Sequence, residues 1–264
     1  MTVLSMDALA GKVVLVSGGT PGVGAAVART AARCGAEAVV VTGRRPEAAE
    51  GLVDELDALG AEPLFIRADV AVVAQAVASV AETVTAFGRV DCVVNAAALT
   101  DRGTLVDTTP EMFDAHVATN LRGPFFIMQA AVRDMLRREA DGTIVNVISI
   151  SAHTGSAILA PYAASKGGLA SLTRNAAHAH RRDGIRVNGL NIGWTATEGE
   201  DAVQRRFHGA RDGWLEEAGR DLPAGRLGDP DEIADMIVYL LSDGSGVVTG
   251  SVIDWDQTVV GGQG

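Results

Sequence analysis

The sequence predicts an α/β domain in which a parallel sheet carries helices on both faces, and three observations predict it. Short β-branched runs alternate with longer Ala-rich segments of helical period, the pattern of successive βαβ units. The runs show no in/out alternation, as expected of strands covered on both faces. No repeat, low-complexity tract or Pro/Gly/Ser-rich linker divides the 264 residues, so a single domain over residues 1–264 is the expectation.

Taken in order, strands are expected at Val13–Ser17, Val39–Thr42, Leu64–Arg67, Val90–Asn95, Thr143–Ser149 and Arg186–Asn191. The helices fall at Val23–Cys34, Glu47–Leu59, Val72–Phe87, Pro110–Arg138, Tyr162–Arg182 and Pro230–Leu241. Several open at Pro or Asp and close near Gly35, Gly60, Gly88 and Gly184, where glycine accommodates the left-handed turn that ends a helix. Hydrophobic residues make up 47% of the chain but aromatics only 4%, so Ala and Val supply the core, and small side chains suit close packing of helix on sheet. Residues 198–222 break the pattern: they are highly charged, carry Phe207 and Trp214, and are expected to form either a solvated helical excursion or a substrate-covering lid.

A net charge of −11 repels a phosphate backbone and an anionic membrane, which argues against nucleic acid and membrane as partners. The start of the chain has no basic segment leading into an apolar run, and eighteen apolar residues never occur together. Cys34 and Cys92, in a helix and a strand, fit a reducing compartment. A cytoplasmic protein is the expectation.

After the first strand comes Ser17-Gly18-Gly19-Thr20-Pro21-Gly22-Val23-Gly24, then a helix. Glycines at this place permit a tight turn and close approach of a pyrophosphate to backbone N–H groups, with the helix N-terminus adding roughly half a positive charge. A Gly-rich turn is weak evidence by itself, but its position between first strand and helix strengthens it. A Walker loop is excluded because no Lys-Ser/Thr follows the last glycine. The second strand ends Thr42-Gly43-Arg44-Arg45. An acidic residue there would bind the adenosine ribose diol; glycine followed by two guanidinium groups favours NADP(H), with NAD(H) as the alternative. Pro21 offers no further cation. A solvated pair at a helix start is the plainer reading of Arg44 and Arg45.

The fifth strand ends Ile148-Ser149-Ile150-Ser151, and Tyr162-Ala163-Ala164-Ser165-Lys166 follows. Tyr and Lys at i and i+4 share one helix face, so an ammonium comes near a phenol and lowers its pKa toward a useful acid/base. Such pairs are common on exposed helices, and this one gains meaning from the cradle and the serine upstream.

These motifs resemble the short-chain dehydrogenase/reductase family, from Gly11 to about Asp256, whose cradle reads Thr-Gly-x-x-x-Gly-x-Gly. The resemblance implies a Rossmann-like doubly wound sandwich with a parallel sheet of about seven strands. It also implies an NAD(P)-dependent oxidoreductase that interconverts a ketone or aldehyde and an alcohol. By that resemblance Tyr162 is the general acid/base, Lys166 binds the nicotinamide ribose and depresses the phenol, and Ser149 holds the substrate oxygen. Asn120 is the helix-kink asparagine whose backbone serves a proton relay. Ser151 is the rival serine, and Ser149 is preferred on its spacing to Tyr162. The cofactor would be held by Gly18, Thr20, Gly22, Val23, Gly24, Arg44, Arg45, Asp69, Val70, Asn95, Ala96 and Ala97, then Tyr162, Lys166, Ile192, Gly193, Thr195 and Thr197.

Three positions depart from the pattern: Ala97 and Gln257 stand where glycine is usual, and Ile192 stands where proline is usual. Isoleucine restores a backbone N–H and is expected to loosen the turn that aims Gly193 and Thr195 at the nicotinamide. The late segments resemble those that assemble homotetramers or dimers in relatives. His153 is expected either at the substrate pocket or in an ordinary loop, whereas His116, His178, His180 and His208 are expected to decorate helices. No metal-ligand spacing is present. The substrate class stays open among 3-oxoacyl thioesters, sugars, steroids and small ketones. NAD-dependent alcohol oxidation and a non-catalytic dinucleotide-binding module are the competing readings.

Overall fold

A computed structural model describes residues 4–259. Seven strands form one sheet in the order β3-β2-β1-β4-β5-β6-β7. They are β1 (Val13–Ser17), β2 (Ala38–Gly43), β3 (Glu62–Arg67), β4 (Cys92–Asn95), β5 (Gly142–Val147), β6 (Ile185–Ile192) and β7 (Val252–Trp255). Every neighbouring pair is parallel. The order reverses between β1 and β4, the switch point outside whose carboxyl ends α/β sheets bind ligands.

The helices are α1 (Gly22–Arg33), α2 (Glu50–Ala58), α3 (Val73–Phe87), α4 (Pro110–Val117), α5 (Gly123–Arg138), α6 (Ala160–His180), α7 (Glu198–His208), α8 (Trp214–Arg220) and α9 (Pro230–Leu241). Successive strand residues point to opposite faces, and here both faces are apolar. Val14 and Val16 join the layer built by α1, α2 and α9, while Leu15 joins the layer built with α3 and α5. Five alanines of α1 (Ala25, Ala26, Ala28, Ala31, Ala32) are buried in the first layer, so the alanine excess is the lining of a closely approached helix.

The stretch expected as one helix over Pro110–Arg138 is interrupted by a π-turn at Ala118–Arg122, which holds Asn120. The extra residue leaves the helical direction intact, and such turns gather at functional sites. Beyond Val147 the chain does not continue as strand: Ser149 opens a 3-10 turn at Ile150–Ala152, so strand alternation does not relate Ser149 to Ser151. The last sequence segments act as clamps. Half-buried Arg186 donates to the carbonyls of Leu240 and Ser242 at 3.1 and 2.9 Å, and Asn188 donates to Val248 O at 2.8 Å. Among the described residues, no helix is long and apolar enough to cross a membrane.

Candidate active site

A cleft of about 770 Å³ opens along the carboxyl ends of the strands, with the glycine turn at one end and Ser149, Tyr162 and Lys166 in its wall. Gly18 has φ +73°, and a Cβ there would lie 2.5 Å from the backbone of Ala97. A Cβ on Gly24 would lie 2.1 Å from the Gly18 carbonyl oxygen. These glycines are therefore required by backbone approach and not only by the turn. α1 starts at Gly22 with no side-chain cap, so its first N–H groups face the cleft unsatisfied by the chain's own side chains. The buried Ser17 hydroxyl, also in the cleft wall, lacks a hydrogen-bond partner. Such a cradle of free donors fits a dinucleotide pyrophosphate.

Thr20, Val23, Arg44, Arg45, Asp69, Val70, Ala96 and Ala97 line the same cleft, as do Ile192, Gly193, Thr195 and Thr197. Arg44 and Arg45 are exposed, and neither has an ion-pair partner among the described residues. Asn95 is the exception to the expectation. It is buried behind the wall, donating to Asn146 Oδ1 at 2.8 Å across the β4–β5 pair, because the strand end directs its side chain into the sheet interior. Ile192 ends β6 opposite Trp255, where a residue other than proline continues the strand. The segment beyond is held by Gly228 N donating to Trp194 O at 2.8 Å and Ala196 N donating to Gly228 O at 2.9 Å.

Lys166 is only 2% exposed, and its Nζ donates to Val147 O at 2.7 Å while standing 5.8 Å from the centroid of the Tyr162 ring. Burial pulls its pKa down to about 8. The Tyr162 phenol lines the same wall. Burial raises it above its ordinary value, and the Ser149 hydroxyl and, more weakly, the Arg102 guanidinium offset part of that rise while Glu200 adds to it. Desolvation by the wall outweighs the Ser149 hydrogen bond and the Arg102 charge, so Tyr162 is a protonated donor near neutrality. Ser149 is buried and its Oγ accepts from Ser151 N at 3.2 Å, which leaves its own proton free to donate. Ser151 also lines the cleft.

Asn120 does not line the cleft. It is fully buried, its Oδ1 accepting from Leu99 N at 2.8 Å and its Nδ2 donating to Leu99 O at 2.9 Å and Ser165 Oγ at 3.0 Å. The side chain ties the loop after β4 to α6.

The 198–222 excursion forms α7 and α8, and α7 faces the cleft through Gly199, Glu200, Gln204 and His208. Its start is set by Thr197, whose hydroxyl accepts from Glu200 N at 3.1 Å, followed by acidic residues in the first turn, basic ones in the last and Gly209 at φ +63°. Trp214 is buried against Trp194, ring centroids 5.8 Å apart, and its Nε1 donates to Asp201.

Sequence reasoning missed Arg102, Glu200, Gln204 and the placement of His208. Arg102 donates to Glu200 at 3.0 Å and to His208 at 3.3 Å, joining the loop after β4 to α7 across the cleft mouth. The only signal was the unusual charge of the excursion. His153, in contrast, faces away from the cleft lining, against Asn191 and, at 3.3 Å, Asp254. His116 is no surface decoration: it is fully buried, bonded to the carbonyls of Met112 and Asp101. His178 is exposed, and His180 lies at the surface beside Asp183.

A doubly wound parallel sheet with a glycine cradle at its switch point and a Ser, Tyr and Lys beside it defines the nicotinamide-dinucleotide oxidoreductase class. Residues 18–258 match the family model described as Enoyl-(Acyl carrier protein) reductase. The chain is similar to L-rhamnose 1-dehydrogenases (NAD(P)(+)) from Sphingomonas sp. (strain SKA58), 34% identical over 94% of this chain and 96% of that one, and from Azotobacter vinelandii, 37% identical over 91% and 93%. Among solved structures it is similar to an actinorhodin polyketide ketoreductase variant with NADPH, at 30% identity and TM-score 0.88 over 96% of this chain and 98% of that one. The chain belongs to the short-chain dehydrogenase/reductase family and is an NAD(P)-dependent oxidoreductase interconverting carbonyl and alcohol groups.

Proposed function

We propose that the enzyme prefers NADP(H) and that Tyr162 is its general acid/base, with Ser149 and Lys166 in support. The observation that carries the reading is the meeting of these three side chains in one cleft with the glycine cradle and the two unpaired guanidinium groups. When bound, the nicotinamide supplies or accepts the hydride. Gly22, Val23 and Gly24 would offer N–H groups to the pyrophosphate, while Gly18, whose N–H donates to the Thr42 hydroxyl, would allow the close backbone approach. Arg44 and Arg45 would meet an adenosine 2′-phosphate, which Gly43 leaves unopposed by any carboxylate. Lys166, with one proton on Val147 O, keeps two for the nicotinamide ribose hydroxyls. Ile192, Gly193, Thr195 and Thr197 would border the nicotinamide end.

In reduction the Tyr162 phenol gives its proton to the carbonyl oxygen as that oxygen gains negative charge, and the Ser149 hydroxyl donates to the same oxygen. In oxidation the phenolate takes the hydroxyl proton. Asn120 acts by holding the loop at Leu99, and α7 covers the substrate. Turnover of a panel of ketones, aldehydes and alcohols with each nucleotide tests the reading. The expectation is faster turnover with NADP(H), and loss of roughly 10²–10⁴ in kcat for Tyr162→Phe with nucleotide binding by calorimetry retained. Wild-type turnover by that variant overturns the assignment.

Two further features extend the proposal. Leu105 and Val106 before α4, together with Phe113 and Phe125, leave apolar surface exposed, which supports a homo-oligomer. Cys34 and Cys92 are both buried free thiols, which supports a cytoplasmic setting.

A further inference from the structure

Resting on that reading, we infer that Glu200 selects the substrate: its Oε2 accepts a hydrogen bond from a hydroxyl of a neutral polyhydroxylated carbonyl or alcohol compound. Three donors converge on the other oxygen. Oε1 accepts from Gln204 Nε2 at 2.7 Å, Trp194 Nε1 at 2.8 Å and Arg102 Nη2 at 3.0 Å. Those bonds hold the carboxylate in one orientation in the cleft wall, its side chain 13% exposed. Oε2 carries no hydrogen bond among the described residues. Oε2 is open to the cleft and not sealed in the wall, so a ligand hydroxyl can take the place of water on it, and a hydroxyl does so without bringing charge.

The same cluster argues against an anionic substrate. The obvious cation, Arg102, is engaged at every nitrogen: Nη1 donates to Thr100 O at 2.9 Å, Nη2 to Glu200 and Nε to His208. Its charge is cancelled by the carboxylate it grips, and both side chains are largely buried. A phosphate or carboxylate would have to break that pair and face Oε2, a like charge. Glu200 and Tyr162 line the same cleft, so a ligand seated there can meet both. Ser151 and Ser156 line the cleft as further neutral hydrogen-bonding groups.

The test measures kcat/KM for D-glucose, D-galactose and L-rhamnose against cyclohexanol, with NAD⁺ and NADP⁺, in wild type, Glu200→Gln and Tyr162→Phe. At least one aldose is expected to exceed cyclohexanol, and the aldose-to-cyclohexanol ratio to fall roughly tenfold or more in Glu200→Gln, since a charge-assisted acceptor has been exchanged for a neutral amide. Calorimetric binding of NADPH verifies that the variant is folded. A second measurement needs no variant: among monodeoxy analogues of the preferred aldose, one position loses roughly tenfold or more in the unmodified enzyme. A ratio unmoved by Glu200→Gln, a flat deoxy series, preference for cyclohexanol or no turnover of any aldose overturns the inference. Failure of the underlying reading looks different: Tyr162→Phe would then turn over the panel as wild type does, whereas an inactive Tyr162→Phe beside an unmoved ratio isolates the error to Glu200.

Discussion

Lys166 spends one of its three protons on the carbonyl oxygen of Val147, 2.7 Å away, inside a wall that leaves the ammonium 2% exposed. The ordinary value of 10.5 falls to about 8 in the folded chain, a displacement worth about 3 kcal/mol against the charged form. Below about pH 8 the lysine is protonated in both folded and unfolded states and the penalty is fully present. Between about 8 and 10.5 the unfolded chain binds more protons, so stability from this group rises with pH.

Lys166→Met is therefore expected to abolish turnover and yet unfold later than wild type near neutrality. The gain is about 2 kcal/mol once loss of the Val147 hydrogen bond is subtracted, and it shrinks as pH approaches 10.5. Denaturant melts of both proteins at neutral and alkaline pH check this. A variant less stable at neutral pH would show that the ammonium is not desolvated as its burial implies.

Replacing Arg44 and Arg45 together by Ala is expected to weaken NADPH by roughly tenfold or more, since charge-assisted bonds to a phosphate are lost, and to leave NADH affinity almost unchanged. Calorimetric titration with each nucleotide measures both. Equal losses would place the two guanidinium groups away from the 2′-phosphate.

The glycines of the cradle separate cleanly from ordinary ones. Gly24→Ala puts a Cβ 2.1 Å from Gly18 O and is expected to cost about 2 kcal/mol or more together with nucleotide binding. Gly51→Ala, in α2 with nothing within 4 Å of the new Cβ, is expected to stabilise by about 0.5–1 kcal/mol. Thermal melts of the two variants should move in opposite directions.

Asn120→Ala removes three hydrogen bonds, one buried and two part-buried, and is expected to cost about 3 kcal/mol. Because Leu99 leads to Arg102 in the cleft wall, catalysis should fall even where the variant remains folded. Parallel urea melts and turnover assays check the two effects; full activity would exclude a positioning role.

Much of the architecture was legible because a parallel sheet covered on both faces writes itself as apolar runs, and Val14, Leu15 and Val16 serve opposite layers with the same kind of side chain. The π-turn at Asn120 was hidden, since one added residue hardly disturbs helical periodicity over Pro110–Arg138. Asn95 was misplaced because motif position does not say to which side a strand end directs its side chain. The Arg102–Glu200 pair spans 98 residues of sequence, and Arg102–His208 spans 106, so no local pattern could join them. The rise that burial imposes on Tyr162 was also hidden, because spacing reports a neighbour's charge and not the solvent that the fold takes away.

All three tryptophans gather at one corner of the molecule: Trp194 just beyond β6, Trp255 opposite Ile192 at the end of β7, and Trp214 stacked on Trp194 from the excursion. The two apolar layers hold none. Intrinsic emission of the protein is thus a signal from α8 and the ends of β6 and β7 rather than from the apolar layers. A change in that emission on adding substrate would report on this corner directly, in a chain that needs no label attached.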